Sequence, residues 1–307
     1  MSLTSFVGMR EVREKIEPFR STLPRKITVP VIVTPKSDRY STVGTAFDYL
    51  LRFELQRQAP HAVTKEWIAE LGLDCLRPQK SGKATVWGPL RNPYPDQPEK
   101  VLERATKSMD NAKAAVAAYL KTTTPNRIEQ ADLAAHAIRL AKLDPVYRAF
   151  RLEPTFDVAD PEDVEDLLNL LAIVPFDKLL HAKVLLLNPN FGATSELVGA
   201  ADTDLITGDM LVDLKTTKNS KMTADNLDQL FGYYLLARRH RQVDPTFPEI
   251  KRLALYFCRH GHLWIVDART WTDHPQFSDI EKWFFQRAEK IYGRPRKSGR
   301  SVRKPSV

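Results

Sequence analysis

Four charged residues in the middle of the chain have a spacing that suits phosphate chemistry. They fall in two short apolar runs: Asp202, Asp204, Asp213 and Lys215. Carboxylates that face each other across a strand pair repel, and the economical reason to keep them is a divalent cation between them. A lysine beside that cation can orient or deprotonate a water, or neutralise charge on a phosphate. The pattern therefore indicates a site for a hard cation such as Mg²⁺.

A β-hairpin would bring these residues together. The runs Ala201–Thr207 and Met210–Thr216 read as strands, and Gly208 at the first central position between them favours a type II′ turn. The register that follows gives three opposing pairs: Thr207 and Met210, Asp204 and Asp213, Asp202 and Lys215. All four charged residues then share one face, whereas Val212 and Leu214 point into a core. The alternative is a solvated hairpin whose outer face happens to be charged.

An upstream helix, predicted to open near residues 41–42, carries two further acids. Its apolar residues recur at helical spacing: Val43, Phe47, Leu50, Leu51 and Leu55. Glu54 falls in the middle of this apolar stripe and Asp48 toward its edge, and an acid in such a stripe needs a partner or a metal. For each acid the alternative to a metal is a salt bridge to a nearby arginine, such as Arg52 or Arg57.

A helix that follows the hairpin carries a candidate nucleic-acid contact. It is capped by Thr223 or Asp225, and Gln229 and Tyr233 lie four residues apart on one face. Such a pair can hydrogen-bond a phosphate or stack a base, and the alternative is ordinary helix surface. Lys218 precedes this helix in a polar stretch where a phosphate backbone would pass close to the cation.

Together these motifs resemble the PD-(D/E)XK nuclease superfamily. Asp204 with Asp213-Leu214-Lys215 looks like its catalytic core, and Gln229-Leu-Phe-Gly-Tyr233 looks like the Gln-x-x-x-Tyr motif of RecB-like nucleases and CRISPR-adaptation exonucleases. Upstream, Gly44-Thr-Ala-Phe-Asp48 resembles the Gly-Thr-x-x-His of that subset, with Asp in place of His. The resemblance covers these motifs and not the long segment between them.

The resemblance implies an Mg²⁺- or Mn²⁺-dependent nuclease that acts on DNA. The implied cleavage is exonucleolytic or nonspecific, and the implied context is repair, recombination or phage defence. The implied metal ligands are Asp204, Asp213 and the Leu214 carbonyl, with Asp48 or Glu54 supplying a further oxygen. Lys215 would position the attacking water, and the implied nucleic-acid contacts are Gln229, Tyr233 and Lys218.

Two other functions remain open at this point. The missing histidine is compatible with a nuclease-fold DNA-binding subunit that has lost cleavage. A scaffold for a helicase or ATPase partner is the other alternative, and because the chain shows no ATP-binding motif, any unwinding would come from that partner. We expect no iron–sulfur cluster, since the cluster-bearing relatives use four cysteines and this chain has two, Cys75 and Cys258.

Composition restricts the setting of the protein. No stretch approaches the roughly 18 apolar residues that a membrane span needs, and the N-terminal residues lack the apolar region of a signal peptide, so we expect a cytoplasmic protein. Six basic residues lie in the segment 293–307, and subtracting these six from the net charge of +8 leaves +2. A basic tail of this kind contacts phosphates or simply keeps the chain in solution.

The pattern of elements predicts an α/β fold with a mixed central sheet, flanking helices and a large helical insertion. The predicted segments are an N-terminal arm with an edge strand (1–40), a core helix and loop (41–98), the helical insertion (99–175), the nuclease core (176–292) and a disordered basic tail (293–307). The predicted strands outside the hairpin are Ile27–Val33 at an edge, Lys183–Asn188, Arg252–Cys258 and His262–Val266. The other predicted helices are Thr64–Leu73, Glu99–Leu120, Ile128–Leu143, Val146–Phe150, one opening at Pro161, and Ile280–Tyr292.

Overall fold

The hairpin lies at the centre of a six-stranded mixed sheet. The structure, a computed structural model, describes residues 2–21, 23, 29–77, 98–180, 182–219 and 221–293. The strands are β1 (Val63–Thr64), β2 (Leu185–Leu187), β3 (Leu205–Thr207), β4 (Met210–Lys215), β5 (Arg252–Phe257) and β6 (His262–Asp267). They follow one another in the order β1-β2-β3-β4-β5-β6. The pairs β1–β2 and β4–β5 are parallel, and the other three pairs are antiparallel.

Twelve α-helices are found in the described residues. They are α1 (Leu3–Val7), α2 (Arg10–Ser21), α3 (Tyr40–Gln58), α4 (Ile68–Leu76), α5 (Pro98–Tyr119), α6 (Arg127–Ala149), α7 (Pro161–Ala172), α8 (Phe176–Leu179), α9 (Ala193–Glu196), α10 (Ala224–Val243), α11 (Arg269–Thr272) and α12 (Phe277–Tyr292). A 3-10 turn, Cys258–His260, joins β5 to β6. The predicted α/β class, with a mixed sheet flanked by helices, is confirmed.

Helices cover both faces of the sheet. On one face Val212 and Ala254 pack in a core shared with α3 to α7, and on the other Leu211 and Leu255 pack in a core shared with α1, α2, α10 and α12. The predicted helical insertion therefore has no core of its own, because its buried residues continue the core of the first face. The alternation of β4 sends Asp213 and Lys215 toward α10, while Val212 and Leu214 point toward α3.

The hairpin register agrees with the sequence prediction where the strands pair. Thr207 lies opposite Met210, and β3 pairs with β4 as far as Leu205 opposite Val212. Gly208 has a φ of 59°, as the first central residue of a type II′ turn requires. The ladder ends there, so Asp204 and Asp213 adjoin the last pair. Asp204, just before β3, and Asp213, near the end of β4, therefore lie at the same end of the sheet.

The N-terminal arm differs from its prediction. Its described part forms α1 and α2, and no strand is found over residues 29–33, where Ile32 and Val33 instead donate backbone hydrogen bonds to the carbonyl of Arg259. Residues 24–28 lie outside the described chain. The helices follow from Val12, Ile16 and Phe19, which recur at helical spacing and are all buried against α10 and α12. Tertiary burial of this stripe thus decides the local structure.

Two further predictions, both for elements on the face of the sheet that packs against α3 to α7, need correction. Val63–Thr64 pairs with β2 as a strand, so the helix predicted from Thr64 begins only at Ile68. The two helices predicted around Pro145 form the single helix α6. A Cβ on Gly72 of α4 would lie 2.5 Å from the Leu143 carbonyl oxygen, so α4 approaches α6 closely just before Pro145. This packing offsets the hydrogen bond that a proline removes from a helix.

The remaining differences from the prediction concern the last helix and two segments outside the described residues. The helix α12 begins at Phe277, earlier than predicted, because Phe277 is itself buried. The predicted basic tail from residue 294 onward and most of the predicted loop, residues 78–97, lie outside the described residues. Among the helices that the structure describes, none combines the length and apolar character needed to cross a membrane.

Candidate active site

Asp204, which is half-buried, and Asp213, which is buried, form a carboxylate pair at the end of the hairpin. Asp204 immediately precedes β3, and its Oδ2 accepts a hydrogen bond of 2.6 Å from the backbone N–H of Leu214. The two carboxyl groups are close enough for the charge of Asp213 to act on Asp204. Burial raises the pKa of Asp204 well above its usual value, and the charges of Asp213 and Asp48 raise it further. Burial also raises the pKa of Asp213, against the opposing charge of Lys215. The pair thus has too little positive charge around it to offset the effect of its burial.

Lys215 provides the local cation of this pair. Its Nζ lies 2.5 Å from Oδ2 of Asp213, and its side chain is only 16% exposed. Burial lowers the pKa of Lys215, but the Asp213 carboxylate outweighs this effect, and the pKa is raised overall. Lys215 therefore keeps its proton, which favours orienting a water or binding a phosphate over removing a proton from a water.

Gln229 and Tyr233 extend from Lys215 as a hydrogen-bonded chain. Lys215 Nζ donates to Gln229 Oε1 at 3.0 Å, and Gln229 Nε2 donates to the Tyr233 hydroxyl at 3.0 Å. Both residues project from α10, whose N-terminus is capped by the Thr223 hydroxyl. Tyr233 is only 6% exposed and packs against Phe191, and both Gln229 and Tyr233 line a small cavity beside Asp204. Through these hydrogen bonds Gln229 and Tyr233 orient Lys215. The sequence analysis predicted a nucleic-acid contact for the pair and did not predict this second role.

Asp48 of α3 approaches the carboxylate pair from the opposite side of the sheet end. Asp48 and Asp204 line the same two cavities, and the charge of Asp48 raises the pKa of Asp204. Oδ2 of Asp48 accepts a 2.7 Å hydrogen bond from Arg52, whereas its Oδ1 is buried and has no hydrogen-bond partner. The predicted salt bridge to Arg52 thus exists, and it leaves one carboxylate oxygen available for another ligand.

Glu54 does not reach this site. Its carboxylate accepts hydrogen bonds from Arg57 at 2.5 Å, from Gln58 at 2.6 Å and from the Tyr119 hydroxyl at 2.6 Å. Asp204 lines two adjoining cavities, a larger cleft and a smaller cavity, and Glu54 lines neither of them. Its position in the apolar stripe is therefore explained by this set of partners, and Asp48 is the helix-borne acid that the fold brings to Asp204.

The hairpin register, extended beyond the turn, predicted Asp202 opposite Lys215. In the structure Asp202 lies near the site but is not paired with Lys215. It forms an isolated bridge with Asn190, because the β3–β4 ladder ends at Leu205 and the chain turns toward β2. Burial raises the pKa of Asp202, and the charges that oppose this effect are those of Arg148, Lys65 and Arg52. The predicted face of four charged residues is correct for Asp204, Asp213 and Lys215 only.

A cleft of about 510 Å³ opens over the carboxylate pair. Its lining residues near the pair are Asp48, Asp204, Leu214 and Lys215, whereas the Asp213 side chain is buried and lines neither this cleft nor its neighbour. The rest of the wall is polar and includes Tyr40, Thr217 and Lys221. A smaller cavity of about 230 Å³ adjoins it and shares four lining residues with it: Asp48, Asp144, Arg148 and Asp204.

Asp144 and Arg148 of α6 are site residues that the sequence analysis missed. Asp144 accepts a 2.6 Å hydrogen bond from the Tyr49 hydroxyl, and burial raises its pKa to about 6. Tyr49 is itself held by the backbone N–H of Ala69 and by the Arg52 guanidinium, 4.5 Å from its ring centre. An acid in the apolar stripe of α6 was the available signal, but the helix break predicted at Pro145 concealed it.

Lys218 lies at the mouth of the cleft. It is exposed, and its Nζ is 3.5 Å from the Tyr40 hydroxyl and 5.3 Å from the centre of the Tyr40 ring. Tyr40 lines the cleft and is 47% exposed. This contact holds the ammonium beside the entrance, where a phosphate can approach it from solvent.

The donor set fits a hard divalent cation. Buried carboxylates short of positive charge and an unpartnered buried oxygen of Asp48 are the oxygen donors that Mg²⁺ or Mn²⁺ takes. Over the described residues, however, no three His, Cys, Asp or Glu side chains converge as one metal-binding group. The holding groups would be the two hairpin carboxylates and the Leu214 carbonyl, with the free oxygen of Asp48 and water completing the set, and Mg²⁺ commonly keeps several waters.

Known proteins do not add to this description. Comparisons of the chain with protein-family models, curated proteins and solved structures found no match.

Proposed function

We propose that this protein is a metal-dependent nuclease that hydrolyses DNA phosphodiester bonds. One observation carries the proposal: the carboxyl group of Asp204, which lines a polar cleft, and the buried carboxyl group of Asp213 lie at the end of one hairpin beside a protonated Lys215. A cation and a phosphate together would supply the opposite charges that these groups lack.

Each side chain has a role in the proposed reaction. Asp204, Asp213 and the Leu214 carbonyl would hold Mg²⁺ or Mn²⁺, with Asp48 adding an oxygen. When bound, the ion supplies Lewis acidity toward the phosphate and the attacking water. The water oxygen bonds to phosphorus, the bond to the leaving oxygen breaks, and a proton from the water ends on the leaving oxygen. Lys215, oriented by Gln229, holds its ammonium toward the phosphate, where negative charge develops.

The distribution of the motifs over the elements supports the RecB-like assignment. Asp48 lies on a helix that precedes the hairpin, Asp204 and Asp213 lie on the hairpin, and Gln229 and Tyr233 lie on the helix that follows it. Within this assignment we propose exonucleolytic or nonspecific cleavage in repair, recombination or phage defence. A helicase or ATPase partner belongs to the same proposal.

A cleavage assay tests the proposal directly. Purified protein is incubated with end-labelled linear DNA, closed circular DNA and RNA, in Mg²⁺, Mn²⁺ or EDTA. We expect metal-dependent cleavage of DNA by the wild type and by Lys121→Ala, a control at an exposed lysine. We expect no cleavage by Lys215→Ala or Asp213→Asn. Equal residual cleavage by the wild type and Lys215→Ala would point to a contaminating nuclease and remove the proposal.

A DNA-binding subunit without cleavage is the second candidate. The observation that favours it is the Asp48–Arg52 ion pair, because the resembled nucleases have a histidine where this chain has Asp48, and Arg52 takes one of its oxygens. In that case the wild type and Lys215→Ala bind DNA equally and neither cleaves it with any metal.

A further inference from the structure

Arg148 of α6 occupies the position where the two cavities meet. Among the described residues, the cations that line the larger cleft are Arg148, Lys215 and Lys221, and those that line the smaller cavity are Arg52 and Arg148. Arg148 is thus the cation common to both. A ligand that extends from one cavity into the other must pass its guanidinium.

The guanidinium of Arg148 is not committed to a protein partner. Its Nε lies 3.8 Å from Oδ2 of Asp144, which is beyond hydrogen-bond distance, and its side chain is 55% exposed. The nearby Arg52 is the opposite case, because it is only 6% exposed and donates to Asp48 at 2.7 Å. Arg52 is therefore a packing residue, whereas Arg148 keeps its donors for a ligand.

Neighbouring groups fix where Arg148 points. Asp144, one helical turn earlier, is held by the Tyr49 hydroxyl at 2.6 Å and attracts the guanidinium without bonding to it. The charge of Arg148 also acts on Asp202, which lines the smaller cavity. Charge attraction without a hydrogen bond keeps the guanidinium beside Asp144, and its side chain remains 55% exposed at the cavities.

We infer that Arg148 binds a substrate phosphate at the junction of the two cavities, next to the phosphate that is cleaved. The inference rests on the proposed nuclease function, and it assigns to the helical segment a direct part in substrate binding. A guanidinium presents parallel N–H donors that match two phosphate oxygens, and such charge-assisted pairs are among the stronger hydrogen bonds in proteins. The ligand is the backbone of a nucleic acid strand.

The test compares Arg148→Ala, Arg148→Lys and Arg127→Ala. Arg127 is a matched control on the same helix, 65% exposed and paired with Glu165 outside the cleft. Binding of a fluorescein-labelled DNA oligonucleotide is measured by anisotropy in EDTA over a series of salt concentrations. Each phosphate contact contributes about 0.7 to 0.9 to the slope of log K against log salt concentration. We expect Arg148→Ala to lose about one such contribution and to weaken binding by about tenfold or more.

The conservative variant separates binding from packing. Arg148→Lys keeps the charge and should keep the salt slope, while losing part of the affinity with the bidentate geometry. Arg127→Ala should match the wild type. If Arg148→Ala lowers the melting temperature but leaves the salt slope unchanged, the residue is a structural counter-charge and the inference is wrong.

The same measurements distinguish this inference from the proposed function. A wild type that binds DNA with a slope sensitive to Arg148, yet cleaves nothing with any metal, retains the inference and removes the nuclease. If the wild type cleaves DNA but Arg148→Ala binds DNA with the same affinity and salt slope as the wild type, the nuclease proposal is retained and the inference about Arg148 is wrong. A wild type that binds no DNA overturns both.

Discussion

The ammonium of Lys215 donates a hydrogen bond to Oε1 of Gln229 at 3.0 Å, while the same ammonium lies 2.5 Å from Asp213. Gln229 can present its oxygen to Lys215 only because its amide nitrogen donates to Tyr233 on the next turn of α10. The side chains of the Gln-x-x-x-Tyr pattern thus control the direction of the lysine. This relationship changes the expected consequence of mutating the pair, from substrate binding to turnover.

Replacing Gln229 with Ala should lower kcat about tenfold or more with little change in KM. The lysine loses a charge-assisted partner, and such hydrogen bonds contribute about 1.5–3 kcal/mol. Tyr233→Phe should lower kcat less, about three- to tenfold. Gln229 can still accept the hydrogen bond from Lys215 in this variant, and only the hydrogen bond that orients the Gln229 amide is lost. Steady-state cleavage of a labelled oligonucleotide measures both parameters.

Tyr234→Phe is the control for the loss of a hydroxyl. Tyr234 neighbours Tyr233 on α10, is 3% exposed, and packs against Trp271 and Phe277, away from the carboxylate pair. Its kinetics should match those of the wild type. An increase in KM with unchanged kcat for Gln229→Ala would restore the original interpretation, in which this residue holds the strand.

Local patterns predicted the centre of the site well. The turn at Gly208 sets the hairpin register, and the period of two along β4 puts Asp213 and Lys215 on one face. Both properties depend on residues close in sequence. Asp202 lies two residues beyond the last pair, where the chain leaves the ladder to bridge Asn190, and the turn no longer determines its partner.

The contributions of the helices depend on contacts between distant segments and could not be predicted in the same way. Periodicity identified Asp48 and Glu54 as unusual acids, and local spacing offered Arg57 as a partner for Glu54, but the bond from Tyr119 of α5 depends on packing between distant segments. Asp144 was hidden because Pro145 normally ends a helix, and the close contact of α4 with α6 overrides that preference. A local rule fails where long-range packing supplies a larger free energy.

Replacing Asp204 with Asn should raise the melting temperature at pH 7–8 in EDTA. The folded-state pKa of Asp204 is raised, so its favourable contribution is complete below the unfolded value and is lost as pH rises through the folded value. The stability difference between variant and wild type should therefore grow as pH rises from the unfolded-state pKa of about 4 toward the folded-state pKa, and stay constant above it. Mg²⁺ or Mn²⁺ should raise the melting temperature of the wild type and raise that of Asp204→Asn much less.

Asp157→Asn provides the control of opposite sign. A hydrogen bond from Arg104 lowers the pKa of Asp157, so this carboxylate stabilises the fold above its unfolded pKa and loses that contribution as pH falls. Its replacement should lower the melting temperature at neutral pH and leave the metal-induced shift unchanged. Equal metal-induced shifts in the wild type and Asp204→Asn would contradict the assignment of Asp204 as a ligand.

Asp48→Asn and Glu54→Gln separate the two acids of α3. Asp48→Asn should reduce both cleavage and the metal-induced shift in melting temperature, because its unpartnered Oδ1 is the oxygen available to a cation. Glu54→Gln should keep both, while lowering the free energy of unfolding by about 1.5–3 kcal/mol through the weakened bond to Arg57. Cleavage rates and thermal melts with and without Mn²⁺ decide between the two. The reverse pattern would make Glu54 the ligand.

Lys218→Ala should raise KM for DNA at low salt and make KM less sensitive to salt, because the variant lacks one cation at the mouth of the cleft. Tyr40→Ala removes the ring and hydroxyl that hold the Lys218 ammonium but keeps its charge. It should therefore raise KM while leaving the salt dependence of KM close to that of the wild type. Lys121→Ala, at an exposed position outside the cleft, should change neither quantity. A salt dependence that is the same in Lys218→Ala and Lys121→Ala would show that the strand does not pass this entrance, and the phosphate path would then have to leave the cleft on the side of Lys221.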